Sequence, residues 1–402
     1  MADAGARARP PADHDLTSEE FATSERIRAY LRPGMRVLVA DGAGAPVGLG
    51  RPLAHAARQV GGVCLVLGWS FALPVTLDET AFPDVRAIVG GYGLRKQFGG
   101  HVQYIPVRLS AVPALLHSAL RPDILLAGLR PAREGLVFGS EVAWMPAAVA
   151  AGAHVLAEVN HALPAASREP ALPASGLTVV AETERPPMQL PLPRRDDVTD
   201  RVGRHIASLV RPGASLQFGP GGVGDAALRA LEVPVHVDSG IVGDAVVDLD
   251  ARGLLIGTPL ATYLAGTSVV YDWADGQALL ARIEHTHDPS RLAEQPLVAV
   301  NTALEIDLTG QVNVEGFGGD VIAGVGGHPD YAGAAVRARD GLSVVALPTV
   351  RGGRRTLVDR LSAPASTTRS DVDVVVTELG TADLRGLSDA ERTSALRSVW
   401  GD

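Results

Sequence analysis

The chain has 402 residues, 46% of them hydrophobic, enough to build two domains around a large core. Its 36 basic residues against 45 acidic ones leave a net charge of −9, which argues against a nucleic-acid partner. The single cysteine excludes an internal disulfide, and no apolar run reaches the ~18 residues a membrane-spanning helix needs.

Residues 1–16 have no apolar h-region and are expected to form a disordered leader, not a signal peptide; the protein is expected to be cytoplasmic. A helix is predicted over Ser18–Leu31, capped by Thr17 or Ser18 with Glu20 in its first turn. Arg36–Ala40 reads as a strand running into the loop Asp41–Pro46, before a helix from about Pro52 to Gln59. Val63–Leu67 is the next strand, and Cys64 within it is expected to be an inert core thiol. Strands at Val85–Val89, Val102–Val107, Ile124–Ala127 and His154–Val159 alternate with a glycine turn at Gly90–Gly93 and helices near Val112–Leu120 and Val142–Ala151. That alternation predicts a mainly parallel α/β domain. Arg185–Arg195 carries four prolines and reads as an extended linker, which divides the chain into domains 17–195 and 196–402.

A helix from about Val198 to Leu209 leads into Ser215–Leu249, where strand Ser215–Phe218, the turn Gly219–Gly224, helix Asp225–Leu231 and strand Val233–Val237 follow one another. Two consecutive strands thus end at one sheet edge, where open α/β sheets bind ligands. Gly219–Gly224 fits G-x-G-x-x-G, with Asp238 closing the next strand roughly 20 positions on, so a dinucleotide site is one reading. It fails in detail: the intervening helix is short for a crossover, Pro220 stiffens the turn, and no second nucleotide half follows. Further on, Leu260–Leu264 and Val269–Asp272 lead to Glu284–Pro289, where His285 and His287 stand at i,i+2. They lack a third ligand at a recognisable spacing, and ordinary loop polarity is the preferred reading over a metal site. Strand and helix alternate again through this half, which suggests a structural duplication.

Four segments carry a family resemblance. Val300–Asn313 (VNTALEIDLTGQVN) is similar almost residue for residue to N-x-A-L-E-V-D-L-x-G-Q-V-N, and Ala323–Gly333 resembles an N-G-I-G-G-S-G-D-F-x-R loop. Ser370–Gly386 is close to H-D-V-x-V-I-V-T-E-x-G-x-A-D-L-R-G, and Asp238–Leu249 aligns with H-S-E-M-x-S-D-G-V-V-D-L. Ala157–Asn160 and Pro131–Gly139 add weaker matches in the first half. On these the chain is identified as a member of the acetyl-CoA hydrolase/transferase family, which includes the 4-hydroxybutyrate and succinyl-CoA:acetate CoA-transferases.

The resemblance implies two α/β domains of the CoA-transferase fold, each a mainly parallel sheet flanked by helices, with CoA on the C-terminal half and the acyl group between the halves. It implies an enzyme acting on acyl-CoA with a small carboxylate or water as acceptor; whether the thioester is carried on free CoA or on an acyl carrier protein is left open by the sequence. It implies CoA as substrate, neither metal nor NAD, and a homodimer. Family transferases use a glutamate that forms an acyl-glutamyl anhydride and then a glutamyl-CoA thioester, splitting one hard exchange into easier steps. Gly219, Gly221 and Gly222, with the start of the Asp225 helix, would hold the oxyanion. Asn301 and Glu305 would orient the thioester, while Gly324, Gly326 and Gly327 would let CoA approach the backbone beside His328.

The nucleophile is where the sequence departs. Aligning Asp244 and Val247–Leu249 without a gap puts Gly240 at the glutamate, with Asp238 and Ser239 at the preceding H-S. Anchoring on His236 instead puts Asp238 at the glutamate but needs two extra residues before Asp244. Ser239 lies outside any G-x-S-x-G motif. The candidate site is therefore Asp238, Ser239, Gly240 and Glu305, with three chemistries in view. Water activated by Asp238 or Glu305 would hydrolyse the thioester, Asp238 could serve as an atypical transferase nucleophile, or the site could act on another carrier-bound acyl chain. A non-catalytic CoA-binding subunit is the alternative outside enzymology.

Overall fold

A computed structural model of the chain describes residues 16–69, 77–90 and 100–402. Residues 1–15 of the expected leader, and Gly91–Gly93 of the expected glycine turn, lie outside the described residues. The first half is built on an eight-stranded sheet: β1 (Arg36–Val39), β2 (Cys64–Leu67), β3 (Val85–Ala87), β4 (Val102–Tyr104), β5 (Ile124–Ala132), β6 (Gly135–Val137), β7 (His154–Asn160) and β8 (Leu177–Thr183). The order is β4-β3-β2-β1-β5-β7-β8, all parallel, with β6 pairing antiparallel to the end of β5. Apolar residues fill both faces: Val37, Leu38, Leu65, Leu125 and Leu126 are all buried, as expected for a parallel sheet covered on both sides.

The second half holds a six-stranded sheet. Its strands β9 (Ser215–Phe218), β10 (His236–Val237) and β13 (Leu297–Thr302) are followed by Leu342–Ala346, Val374–Val376 and the antiparallel edge Thr381–Asp383. Between them, β11 (Ile241–Val242) and β12 (Tyr263–Leu264) pair with each other, and β14 (Glu305–Asp307) pairs with β15 (Val312–Asn313). β10 is shorter than the predicted Val233–Val237 strand. Pro234 has no N–H for a ladder, and Val235 bridges to Leu255 instead of β9. The helix after β9 begins at Gly222 and not at Asp225, with Gly221 as its cap at φ 119°, a conformation glycine adopts freely.

One apolar core runs unbroken from Leu38, Phe138 and Trp144 in the first half to Leu216, Val242, Leu264 and Ile283 in the second. The proline-rich stretch is no free spacer: Met188 N–H donates to the Ala43 carbonyl (2.8 Å) and Leu190 N–H to the Gly266 carbonyl (2.9 Å). No helix among the described residues is long and apolar enough to cross a membrane.

Candidate active site

Parallel strands β2, β3, β9 and β13 all point their carboxyl ends at one cavity of about 540 Å³ between the two halves. Trp69, Val89, Gly90 and Leu109 come from the first half, and Gln217 to Gly219, Gly240, Tyr263, His287, Asn301 and the 322–328 loop from the second. The halves meet tightly at its rim. Leu109 N–H donates to the Gly326 carbonyl (3.0 Å), the Tyr104 hydroxyl donates to Glu315 (2.9 Å), and Ser110 donates to Asp330 through both its N–H and its hydroxyl.

The predicted residues separate into two groups. Gly240, Gly219, Asn301, Gly324, Gly326, Gly327 and His328 line the cavity. Asp238, Ser239 and Glu305 do not. The Asp238 carboxylate accepts two bonds from Arg291 (2.5 and 3.0 Å) and one from Gln295 (2.7 Å), so its oxygens are committed inside the protein. Ser239, wholly buried, donates its hydroxyl to the Phe218 carbonyl (3.0 Å) and accepts from the Phe218 N–H (3.3 Å), tying the end of β9 to the chain beyond β10. Glu305 accepts from Asn313 (2.9 Å) and from the N–H (2.6 Å) and hydroxyl (2.8 Å) of Ser362. Gly221 lines a second cavity of about 150 Å³ beside Pro191 and Asp225, and Gly222 lines neither.

No aspartate or glutamate lines the main cavity among the described residues. Its titratable groups among the described residues are His287, His328, Tyr263, Tyr331 and Arg351. A Cβ built on Gly240 would lie 3.5 Å from His287 Nε2 and 3.9 Å from the Tyr331 ring, ordinary contact distances, so neither space nor φ requires glycine there. Gly327 differs: a Cβ on it would stand 2.6 Å from His287 Nε2. Gly324 packs on Gly90 N at 3.0 Å from an added Cβ, so its small size serves the contact between halves.

Sequence reasoning passed over His287 as a functional residue. Its ring is buried, stacks edge-on with Tyr331 at 4.8 Å between centroids, and places Nδ1 2.9 Å from the Thr286 hydroxyl. Burial, helped by the nearby Arg291 charge, pulls its pKa down to about 3, so the ring is neutral at physiological pH. His328, also down to about 3 through burial, has no hydrogen-bond partner on either ring nitrogen. Arg351 supplies the only guanidinium lining the cavity among the described residues and donates to the Ala303 carbonyl (3.0 Å). His285 and His287 do not converge: one is exposed and the other buried. No group of three or more metal-ligating side chains occurs among the described residues.

Two α/β halves whose parallel strands end at a shared glycine-lined cavity define a CoA-transferase-type architecture. The crystal structure of 4-hydroxybutyrate CoA-transferase from Porphyromonas gingivalis superposes with a TM-score of 0.76 at 25% identity, covering 94% of this chain and 93% of that one. Residues 266–399 match the model of the acetyl-CoA hydrolase/transferase C-terminal domain. The 4-hydroxybutyrate coenzyme A transferase of Clostridium kluyveri is 27% identical over 408 residues, covering 96% of this chain and 95% of that protein. The succinyl-CoA:acetate/propanoyl-CoA:succinate CoA transferase of Fasciola hepatica is 29% identical over 350 residues, covering 81% and 73%.

Proposed function

We propose that this protein is an enzyme that cleaves an acyl-CoA thioester with water, the acyl carbonyl lying beside Gly240. The observation that carries this reading is a cavity with no carboxylate in its wall among the described residues. Without a side chain to form an anhydride, the attacking oxygen must come from outside the protein. Asp238 and Glu305 are held by their own partners and act structurally in this reading. His287 is too weak a base at neutral pH, but a neutral imidazole suits a different task. This reading assigns the Thr286 hydroxyl hydrogen to His287 Nδ1 (2.9 Å) in preference to the longer contact with the Arg282 carbonyl (3.4 Å), which puts the ring hydrogen on Nε2, facing the Gly240 space, where it would meet the thioester oxygen as charge develops. Asn301, Gly219 and the Gly324–Gly327 loop line the same space and complete the thioester's surroundings.

CoA transfer is the second reading, favoured by the transferase names of the relatives matched over most of the chain. Here the acceptor carboxylate itself would attack the thioester. Thiol release from a panel of acyl-CoAs, measured with and without acetate and repeated with the acyl groups on an acyl carrier protein, separates the two. Free thiol without acceptor supports hydrolysis, and new acyl-CoA appearing only with acetate replaces it by transfer. Absence of both from every donor would sink the enzyme reading. Redeployed or non-catalytic roles are not favoured, because the matched relatives are enzymes. The cytoplasmic location expected from the sequence and the homodimer implied by the resemblance belong to this proposal, and light scattering tests the stoichiometry.

A further inference from the structure

Behind the cavity wall lies a pair of buried carboxyl groups that the reaction above leaves unused. Asp41 closes β1, and Glu141 lies on the 140–142 segment that pairs with the other half: Leu264 N–H donates to the Ser140 carbonyl (2.8 Å) and Val142 N–H to the Thr262 carbonyl (3.0 Å). Asp41 Oδ2 accepts three bonds, from Trp69 N–H (2.7 Å), Trp144 Nε1–H (3.1 Å) and the Tyr263 hydroxyl (3.1 Å). Asp41 Oδ1 is buried with no partner at all. Tyr263 and Trp69 both line the cavity, their rings edge-on at 5.3 Å. Tyr263 is also the neighbour of Gly240: its N–H donates to the Gly240 carbonyl (3.1 Å), and in register it pairs with Ile241. One side chain therefore joins the reaction space to a carboxyl group with a spare oxygen.

We propose that Asp41, acting through the Tyr263 hydroxyl, accepts the proton released when water attacks at Gly240. This rests on the thioester lying at Gly240. In the step, the water oxygen bonds to the carbonyl carbon while one of its protons passes to Tyr263 Oη. The proton already on Oη moves to the Asp41 carboxylate, and the C–S bond breaks with its electron pair on sulfur. The thiolate regains a proton from Asp41 by the reverse path, giving free acid and free thiol. Three donors converge on Oδ2 and hold the carboxyl in place; the relayed proton crosses the Tyr263 Oη–H···Oδ2 bond and rests on Oδ2, which then donates back to Oη, while the negative charge it neutralises had no donor at all on Oδ1.

The titratable groups packed here are Asp41, Glu141 and Tyr263, with Tyr271 close enough to feel the Glu141 charge. Burial raises Asp41 to about 7 against the pull of its donors. Glu141 is likewise raised to about 7 by burial and then by the Asp41 charge, while it accepts from Gly44 N–H (3.0 Å) and Ser140 Oγ–H (2.7 Å). Tyr263 is held protonated by burial and both carboxyl groups. A proton acceptor poised near neutrality is what general-base chemistry asks for. Asp41 is a positioning residue in this scheme, since it does not line the cavity and acts through Tyr263, which does.

The test couples infrared titration to kinetics. The protonated-carboxyl band of the full-length protein should vanish near pH 7, survive in part in Glu141→Gln, and lose its Asp41 component in Asp41→Asn. Thiol release by wild type should rise through the same pH. Asp41→Asn keeps an oxygen for the three donors and should lower kcat about 100-fold with a flat profile over roughly pH 6 to 8, while KM stays within about threefold. Tyr263→Phe should flatten the profile in the same way with the Asp41 band retained, so the test survives if Asp41→Asn fails to fold. An Asp41→Asn enzyme with the wild-type pH limb, or no band near pH 7 that this change removes, overturns the relay. A wild type that releases no thiol sinks hydrolysis separately. The relay then stands or falls on whether Tyr263→Phe shifts the Asp41 band with CoA bound.

Discussion

Asp238→Asn separates a structural aspartate from a chemical one. The wild-type carboxylate is buried and held by two bonds from Arg291 and one from Gln295. An amide presents an N–H₂ to one of those donors and leaves the Arg291 charge without its counter-ion. Removing one partner of a buried pair costs about 3–5 kcal/mol. The Arg291 side chain is 22% exposed, so water recovers part of its solvation and the lower end, about 3 kcal/mol, is expected. Urea unfolding followed by circular dichroism should show this as a midpoint shift of about 1 M for an m-value of about 3 kcal/mol/M. Turnover, measured by thiol release below the transition, should fall by less than about tenfold, reflecting only a slight shift of Gly240. Loss of turnover beyond ~100-fold with an unmoved urea midpoint would refute the reasoning and return Asp238 to the chemistry.

Gly240→Glu should fold, because the added Cβ meets only ordinary contacts; it should raise acetate-dependent CoA exchange above the wild-type level, read by chromatography of the acyl-CoA products. His328→Leu removes two buried ring nitrogens that have no partner and should stabilise the empty protein by about 1–2 kcal/mol, measured as a urea midpoint. Stability should also depend on pH through Asp41. A carboxyl raised from 3.8 to about 7 binds its proton more tightly folded than unfolded. Its contribution, up to about 4 kcal/mol, is complete below pH about 4 and is lost as pH climbs through about 7. Asp41→Asn should flatten that decline, and an unchanged slope between those limits in chemical unfolding would contradict it.

Much of the architecture was legible because it is local. Val63–Leu67 and His154–Val159 are short β-branched or leucine-rich runs between turns, and the observed β2 and β7 follow them within a residue or two. The cavity glycines announced themselves by clustering after strands. The grouping of the acidic residues did not, because it depends on contacts distant in sequence: Asp238 meets Arg291 53 positions on, and Glu305 meets Ser362 57 positions on. His287 was similarly hidden, since its value comes from Gly240 and Tyr331, which no helical or strand period links to it. Asp41 carried one usable signal, a carboxylate at the end of a buried strand where the working edge of a parallel sheet begins. Its link to Tyr263 spans 222 positions and could be read only from the folded chain.

The unbroken apolar core and the doubly anchored 185–195 stretch make the molecule a vessel more than a jaw. A hinged enzyme selects its substrate by closing on it, and an ill-fitting molecule fails to trigger closure. Here swinging the halves apart would expose the packing of Leu38, Phe138, Leu216 and Ile283, which disfavours a hinge between them. Discrimination among acyl groups then falls on passage and fit, so a bulky acyl chain is turned away at the doorway and a small one is admitted at the cost of looser grip.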